Sequence, residues 1–471
     1  MKKRVLIIIS LINLILMVGC NNININSEKS NLKKIDLANI KIIKPNLKSD
    51  ENLNKDVINF YKEWESKYIK KVRGVFPEQT YLDYGVEARE DSDALQDWFK
   101  PFNVVATSES QGYAMIITAS MANIDKDNKD NFQKKFNALY RFFRAHPSKY
   151  NRDLMCLQEL GIGLEKNGSI VEGEVLDIEN TTDGPYSSIE GDMDIAYSLL
   201  IANEIWGSDG EIDYRSEGLK VIKAIMNSEI NRKEHIPLMG DWVLKYASGR
   251  NPVDKKEGIK HLTIVKSSNL ILNYFDTFSK VDLENREEWL NVLNKSENII
   301  NYNTTNWGSK TGLVADYLQK NISGYYIPVK GAVVEGDENE GDYNWNACRD
   351  PWRFSVDTIY SNNRTVLLGL VKLNRWIREK TGNIPEEIRP GYYIRDGKAG
   401  EIIGDRYGWG EDISFTAPFL ISACIGQENQ KWLNDLWSHL LEIPIDDEVY
   451  FGNVLKMQAL IIASGNWINI Q

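Results

Sequence analysis

Three short segments of this 471-residue chain concentrate carboxylates among amides and aromatic residues. The first is Ser108-Glu109-Ser110-Gln111-Gly112-Tyr113-Ala114-Met115, which runs on through Ile116 and Ala119. Ser108 is placed to cap the helix that begins there, so Glu109 falls in its first turn, with Gln111 and Tyr113 close by. A carboxylate there complements the helix dipole and needs no chemistry to explain it. The second segment, Ser187-Ser188-Ile189-Glu190-Gly191-Asp192-Met193-Asp194, alternates three acids ahead of an apolar helix. Capping and first-turn charge account for one or two of them, and the third is in excess. The third segment is an acidic loop, Glu335 to Asp342, leading into Tyr343-Asn344-Trp345-Asn346-Ala347-Cys348-Arg349-Asp350-Pro351-Trp352-Arg353. By residue type alone it is a solvated loop opening a helix. Loops and helix starts are also where reactive groups are usually presented.

Other chemistries have little to build on. The four His (His146, His235, His261, His439) show no HExxH and no ligand spacing. Apart from Cys20, the cysteines Cys156, Cys348 and Cys424 stand isolated, so neither a thiolate metal site nor a disulfide framework is indicated. No metal and no organic cofactor is expected.

The elements that must position these segments are helical. Residues 194–206 carry Ile195, Leu199, Ala202 and Trp206 on one face. Similar faces occur at 132–143, 219–226, 270–278, 289–300, 366–377, 432–441 and 454–463. Gly, Pro, Asn and Asp gather in the connectors 161–173, 180–185, 331–342 and 397–410. No Pro- or Ser-rich linker divides the chain, so residues 55–471 read as one all-helical domain. A helical toroid and a superhelical array both fit this pattern; the absence of a residue-level repeat favours the toroid.

Lys2, Lys3 and Arg4 precede residues 5–19, a run that is apolar except for Ser10 and Asn13. This reads as an export signal over residues 1–19. The run ends Met17-Val18-Gly19-Cys20, which resembles a bacterial lipobox, with Met17 a looser choice than Leu. Lipidation of Cys20 brings two acyl chains, enough for stable anchoring to the outer face of the cell membrane. Simple secretion with an incidental Cys20 is the other reading. Residues 20–54, polar and without an aromatic, are expected to be a tether. The formal charge is −11, from 56 Lys and Arg against 67 Asp and Glu, and this disfavours nucleic acid as a partner. The 13 Trp and 22 Tyr suit sugar stacking, although large aromatic cores account for them equally well.

Taken together, the segments resemble glycoside hydrolase family 8. SESQGYAM, continued by MIITASM, is similar to that family's Ser-Glu-x-x-Gly-Tyr-Gly-Met region, with Ala114 replacing the second Gly. NALYRFFRAHP and NRDLM follow, then GDMDIAYSLLIANEIWG, which resembles Asp-Gly-Asp-x-Asp-Ile-Ala-Tyr. NACRDPWR and YFGNVLKMQALIIASGNW complete the set in the family's order. The resemblance implies an (α/α)6 barrel that hydrolyses internal β-1,4 linkages with inversion. Such chemistry needs two carboxyl groups ~6.5–9.5 Å apart, one protonated and one ionised.

On this resemblance Glu109 is the general acid, with Gln111 and Tyr113 supplying hydrogen bonds around it. Asn346 stands where many relatives carry an Asp base, and an amide cannot take a proton from water. A subgroup resembling chitosanases and lichenases uses a Glu in the preceding loop instead; Glu335 matches best, with Glu338 and Glu340 as alternatives. Glu190 replaces the Asp understood to hold the sugar at the cleaved bond and is one methylene longer. Asp192 and Asp194 are secondary, with structural roles competing. Arg349 and Arg353 suit ion pairing within the site. Gln111, Tyr113, Asp192, Tyr343, Trp345, Asn346, Arg349, Trp352 and Trp409 are candidate substrate contacts, the rings competing with core packing. Lys266-Ser267-Ser268-Asn269 departs from relatives that carry Arg and Asp at its ends.

The implied partner is a polysaccharide. β-Glucan and chitosan rank together, the latter because an acidic cleft attracts a cationic polymer, followed by cellulose and xylan. The protein is expected to be a monomer. The competing readings are a tethered glycan-binding lipoprotein with weakened or lost hydrolysis, and an enzyme trimming its own cell's polysaccharide.

Overall fold

The computed structural model describes residues 37–72, 74–86, 104–161, 175–177, 186–395, 397–403 and 410–470. Cys20 and Trp409 lie outside them. Residues 37–41 hold one short turn, Leu37–Asn39, and Ile42–Gln471 form a separate compact unit.

That unit alternates outer and inner helices. The outer α1 (Asp50–Tyr68) precedes the inner α2 (Ser108–Ile124), and α3 (Lys129–Ala145) precedes α4 (Ile189–Trp206). After α5 (Tyr214–Ser228) comes an extra pair, α6 (Trp242–Ser248) and α7 (Pro252–His261), before the inner α8 (Leu272–Val281). The outer α9 (Arg286–Asn306), α11 (Leu367–Lys380) and α13 (Gln430–Glu442) then alternate with the inner α10 (Asp350–Tyr360), α12 (Ile413–Ser422) and α14 (Tyr450–Ala463). The outer helices bury one stripe, as Leu53, Val57, Phe60, Tyr61 and Trp64 do on α1. The inner ones are enclosed on all sides; every residue of α12 is buried. Each inner helix packs on the next, α4 meeting α8 through Tyr197 stacked on Tyr274 and Asp194 bonded to Tyr274, and α14 returns to α2, closing the ring. The toroid expected from the sequence is an (α/α)6 barrel.

The tether expected through residue 54 gives way to structure earlier. Ile43 N donates to Cys424 O (2.8 Å), and Ser49 caps α1. Polar composition hides this helix start, because its apolar stripe begins only at Leu53.

Short strands carry the connections. β1 (Ile69–Lys71) pairs with β2 (Thr80–Leu82), and β3 (Val104–Thr107), β4 (Gln158–Gly161) and β5 (Val175–Asp177) form an antiparallel sheet. β6 (Ile230–Asn231) pairs with β7 (Ile236–Pro237), while β8 (Ile264–Lys266), β9 (Tyr317–Lys320) and β10 (Tyr326–Pro328) make a second three-stranded sheet. β3 leads directly into α2, and β8 and β9 deliver Lys266 and Tyr317.

Two glycines set how closely α2 and α4 approach. A Cβ on Gly191 would stand 2.4 Å from the carbonyl carbon of Ser108, and one on Gly112 2.7 Å from Cβ of Asp194. Backbone lies against Gly191, so nothing flexible can yield. Gly191→Ala is expected to destabilise the protein by about 1–3 kcal/mol, as overpacking does. Urea unfolding would measure this, and an unchanged midpoint would show that the helices separate freely.

Candidate active site

Glu109 owes its place to the β3–α2 junction. Thr107, still extended, caps α2: Ser110 N donates to Thr107 Oγ1 (3.0 Å), and Thr107 N donates to Ser110 Oγ (2.9 Å). The cap is therefore Thr107 and not Ser108, whose side chain is buried against α4. Glu109 sits in the first turn, its side chain 22 % exposed and its carboxylate 2.7 Å from Arg349 Nη1. Gln111 and Tyr113 do not share its access. Gln111 Nε2 donates to Leu139 O (2.8 Å) and Thr80 O (3.2 Å), tying α2 to α3 and β2. Tyr113 is sealed against Trp352, and burial, then the charge of Glu109, pushes its phenol well above 10. Both are fully buried, which corrects their expected role as substrate contacts.

The acidic loop resolves into distinct jobs. Glu340, buried, accepts hydrogen bonds from five successive backbone N–H groups, Val333 to Asp337, at 2.6–3.2 Å. Its two oxygens are thereby consumed in folding the loop. Glu338 is exposed and does not line the cavity described below. Glu335 does line it: Tyr317 Oη donates to Oε1 (2.5 Å) and Asn346 Nδ2 to Oε2 (3.0 Å). Arg349 Nη2 in turn donates to Asn346 Oδ1 (3.0 Å). A continuous chain thus runs Glu109–Arg349–Asn346–Glu335–Tyr317. Asp316 anchors its middle by accepting from the N–H groups of Asn344, Asn346 and Ala347.

Glu340→Gln should disorganise this loop, because the new NH2 would face amide donors. A loss of about 10²-fold in kcat is expected from a misplaced Glu335, with a lowered melting temperature from the charge-assisted hydrogen bonds lost at a buried site. Hydrogen exchange at residues 333–337 checks the cause; full protection with full activity would refute it.

Glu190 lies deeper than expected. Its side chain has no exposure and meets Lys266 Nζ at 2.9 Å, Arg349 Nη1 at 3.3 Å and Arg353 Nη2 at 3.5 Å. Burial opposes its ionisation, but Arg349, Lys266 and Arg353 prevail and hold it down to about 2. An ionised, enclosed Glu190 cannot touch a sugar, which corrects that expectation. Asp194 pairs with Arg353 (2.7 Å) and accepts from Tyr274 Oη (2.7 Å). Asp192 accepts from Met155 N (2.8 Å) beside buried Glu229 and Asp241, and burial raises all three. Asp192 therefore braces the segment below Ser187 instead of contacting substrate. Tyr343 and Trp352, each 1 % exposed, are core rings.

A cavity of about 510 Å³ collects what remains: Glu109, Glu335, Asn346, Arg349 and Trp345, with Lys266, Tyr84, Tyr186, Trp242, Tyr317, Tyr450 and Phe451. Of the second group sequence reading had noted Lys266 and, as the opening of YFGNVLKM, Tyr450 and Phe451. Tyr84, Tyr186, Trp242 and Tyr317 were missed; they lie on four separate stretches of chain without a shared motif.

A barrel of paired helices whose cavity presents two carboxyl groups across an arginine, among aromatic walls, has the make-up of a glycosyl hydrolase. No family model matches the chain. It is 31 % identical over 426 residues to a beta-glucanase of Niallia circulans, covering 90 % of this chain and 88 % of that one. An endoglucanase of Bacillus sp. (strain KSM-330) is 29 % identical over 429 residues, covering 90 % and 79 %. Among solved structures, the apo beta-1,3-1,4-glucanase of Paenibacillus sp. X4 superposes with TM-score 0.72 at 30 % identity, over 91 % of this chain and 96 % of that one. A cold-adapted family 8 xylanase shares the fold at 17 % identity (TM-score 0.64; 89 % and 92 % covered). The chain belongs to glycoside hydrolase family 8 and is a glycosyl hydrolase.

Proposed function

We propose that the protein is an inverting endoglucanase that cleaves internal β-1,4 bonds of a β-glucan, of the mixed-linkage kind first. The observation that carries this is the joining of Glu109 and Glu335 through Arg349 and Asn346 in one cavity. Glu109, carrying a proton when sugar is bound, donates it to the glycosidic oxygen as the C1–O bond breaks. Glu335, ionised, takes a proton from water as that water's oxygen bonds to C1 from the opposite face. Asn346 is no base, yet its amide orients one: it accepts from Arg349, so its NH2 points to Glu335. Trp345, Tyr84 and Trp242 offer faces for sugar rings. The names of the relatives favour β-glucan as substrate and disfavour a binding protein without catalysis.

Reducing-end release by the full-length protein tests the reading on mixed-linkage β-glucan, carboxymethyl-cellulose, chitosan and xylan. Release from the β-glucan is expected; silence on every polymer from folded protein would instead support the glycan-binding reading. The signal and the lipobox support export and anchoring through Cys20, which retention of Cys20→Ser in the soluble fraction would test.

A further inference from the structure

Lys266 lines the cavity at the position where the sequence resemblance leads one to look for an Arg. It ends β8, and its ammonium lies on Glu190 Oε2 at 2.9 Å. Lys266 is 12 % exposed and lines the cavity, whereas Glu190 has no exposure and does not. Among the described residues Glu190 is the only partner of that ammonium. Two of its three N–H donors are therefore left for a ligand. The acidic and basic side chains lining the cavity number two each: Glu109 and Glu335 against Lys266 and Arg349. The acidic cleft inferred from a whole-chain charge of −11 is absent at this point.

We propose that Lys266 is a specificity-determining residue that selects neutral glucosyl units and rejects glucosaminyl ones. A sugar hydroxyl has lone pairs to accept from the ammonium. A protonated amino group has none, so it would set donor against donor and like charge against like charge. The inference rests on the hydrolase reading above and names the sugar chemistry that the same site takes.

The test uses the full-length protein and two variants, Lys266→Met, which keeps the length without the charge, and Lys266→Arg, which keeps the charge. In the first arm, kcat/KM is measured on mixed-linkage β-glucan and on fully deacetylated chitosan, below neutral pH. In the second, cellohexaose and glucosamine hexaose are titrated calorimetrically into the same three forms carrying Glu109→Gln. Lys266→Met should shift the chitosan-to-glucan ratio by about tenfold or more toward chitosan in both arms, and Lys266→Arg should hold it near the parent's. A Met ratio within about twofold of the parent's overturns the proposal, as does a shift of the same size in the Arg variant, which would mark a merely structural role. Should the parent cleave neither polymer, the hydrolase reading fails and the binding ratios alone decide for or against Lys266.

Discussion

Glu109→Gln is expected to lower hydrolysis of an unactivated β-glucan by about 10²–10⁴-fold, the range that a positioned proton donor supplies. The substitution is nearly isosteric. The Gln carbonyl can still accept from Arg349, now 2.7 Å from Glu109 Oε1, and α2 keeps its Thr107 cap. What disappears is the proton that the leaving oxygen needs. Glycan binding and thermal stability should therefore stay near those of the parent. An aryl glycoside with a good leaving group needs less protonation, so its loss should be distinctly smaller. Parent-like rates on β-glucan would remove Glu109 from the mechanism. Equal losses on both substrates would point to distortion of the site and not to a missing acid.

Glu335→Ala should cost a comparable factor, about 10²–10⁴-fold, since water then lacks a partner for its proton. The loop should keep its shape, because Glu340 folds it through the backbone N–H groups of residues 333–337 and not through the Glu335 side chain. The space vacated beside Tyr317 and Asn346 can admit a small anion. Added azide should restore part of the rate and leave a glycosyl azide of inverted configuration, a product that water cannot give. Glu338→Ala serves as the control and should remain within about twofold of the parent, as exposed positions usually do. Rescue at Glu338→Ala without rescue at Glu335→Ala would transfer the role.

Much of this site was legible before any coordinates, and the illegible parts share a physical reason. A Glu in the first turn of an apolar helix locates Glu109 from local sequence alone, although the cap proved to be Thr107. The amphipathic outer helices declared themselves by one-sided periodicity. The inner helices are buried on every side, so periodicity says nothing about which face meets the cavity. Gln111, Tyr113 and Trp352 were misplaced for that reason, while Trp345, seven residues before Trp352, does line the cavity. Residues 413–422 carry no polar stripe at all and were not singled out as a helix. Glu335, Glu338 and Glu340 could not be told apart by spacing, because their difference arises from a chain reversal that turns five N–H groups onto one carboxylate. The Lys266–Glu190 pair and the Tyr317–Glu335 bond join distant segments, and composition holds no trace of either. The added methylene of Glu190 raised the question of how it could still reach a sugar. The structure answers with three cations that draw its carboxylate inward.

The most direct test of the central claim, direct displacement by water between Glu109 and Glu335, is the configuration of the first product. Proton NMR of β-glucan during the earliest turnover reads the new reducing end before mutarotation blurs it. The α-anomer should appear first, with the β-anomer growing in only later. A β-anomer at the earliest times would require a covalent glycosyl-enzyme intermediate and would contradict the account.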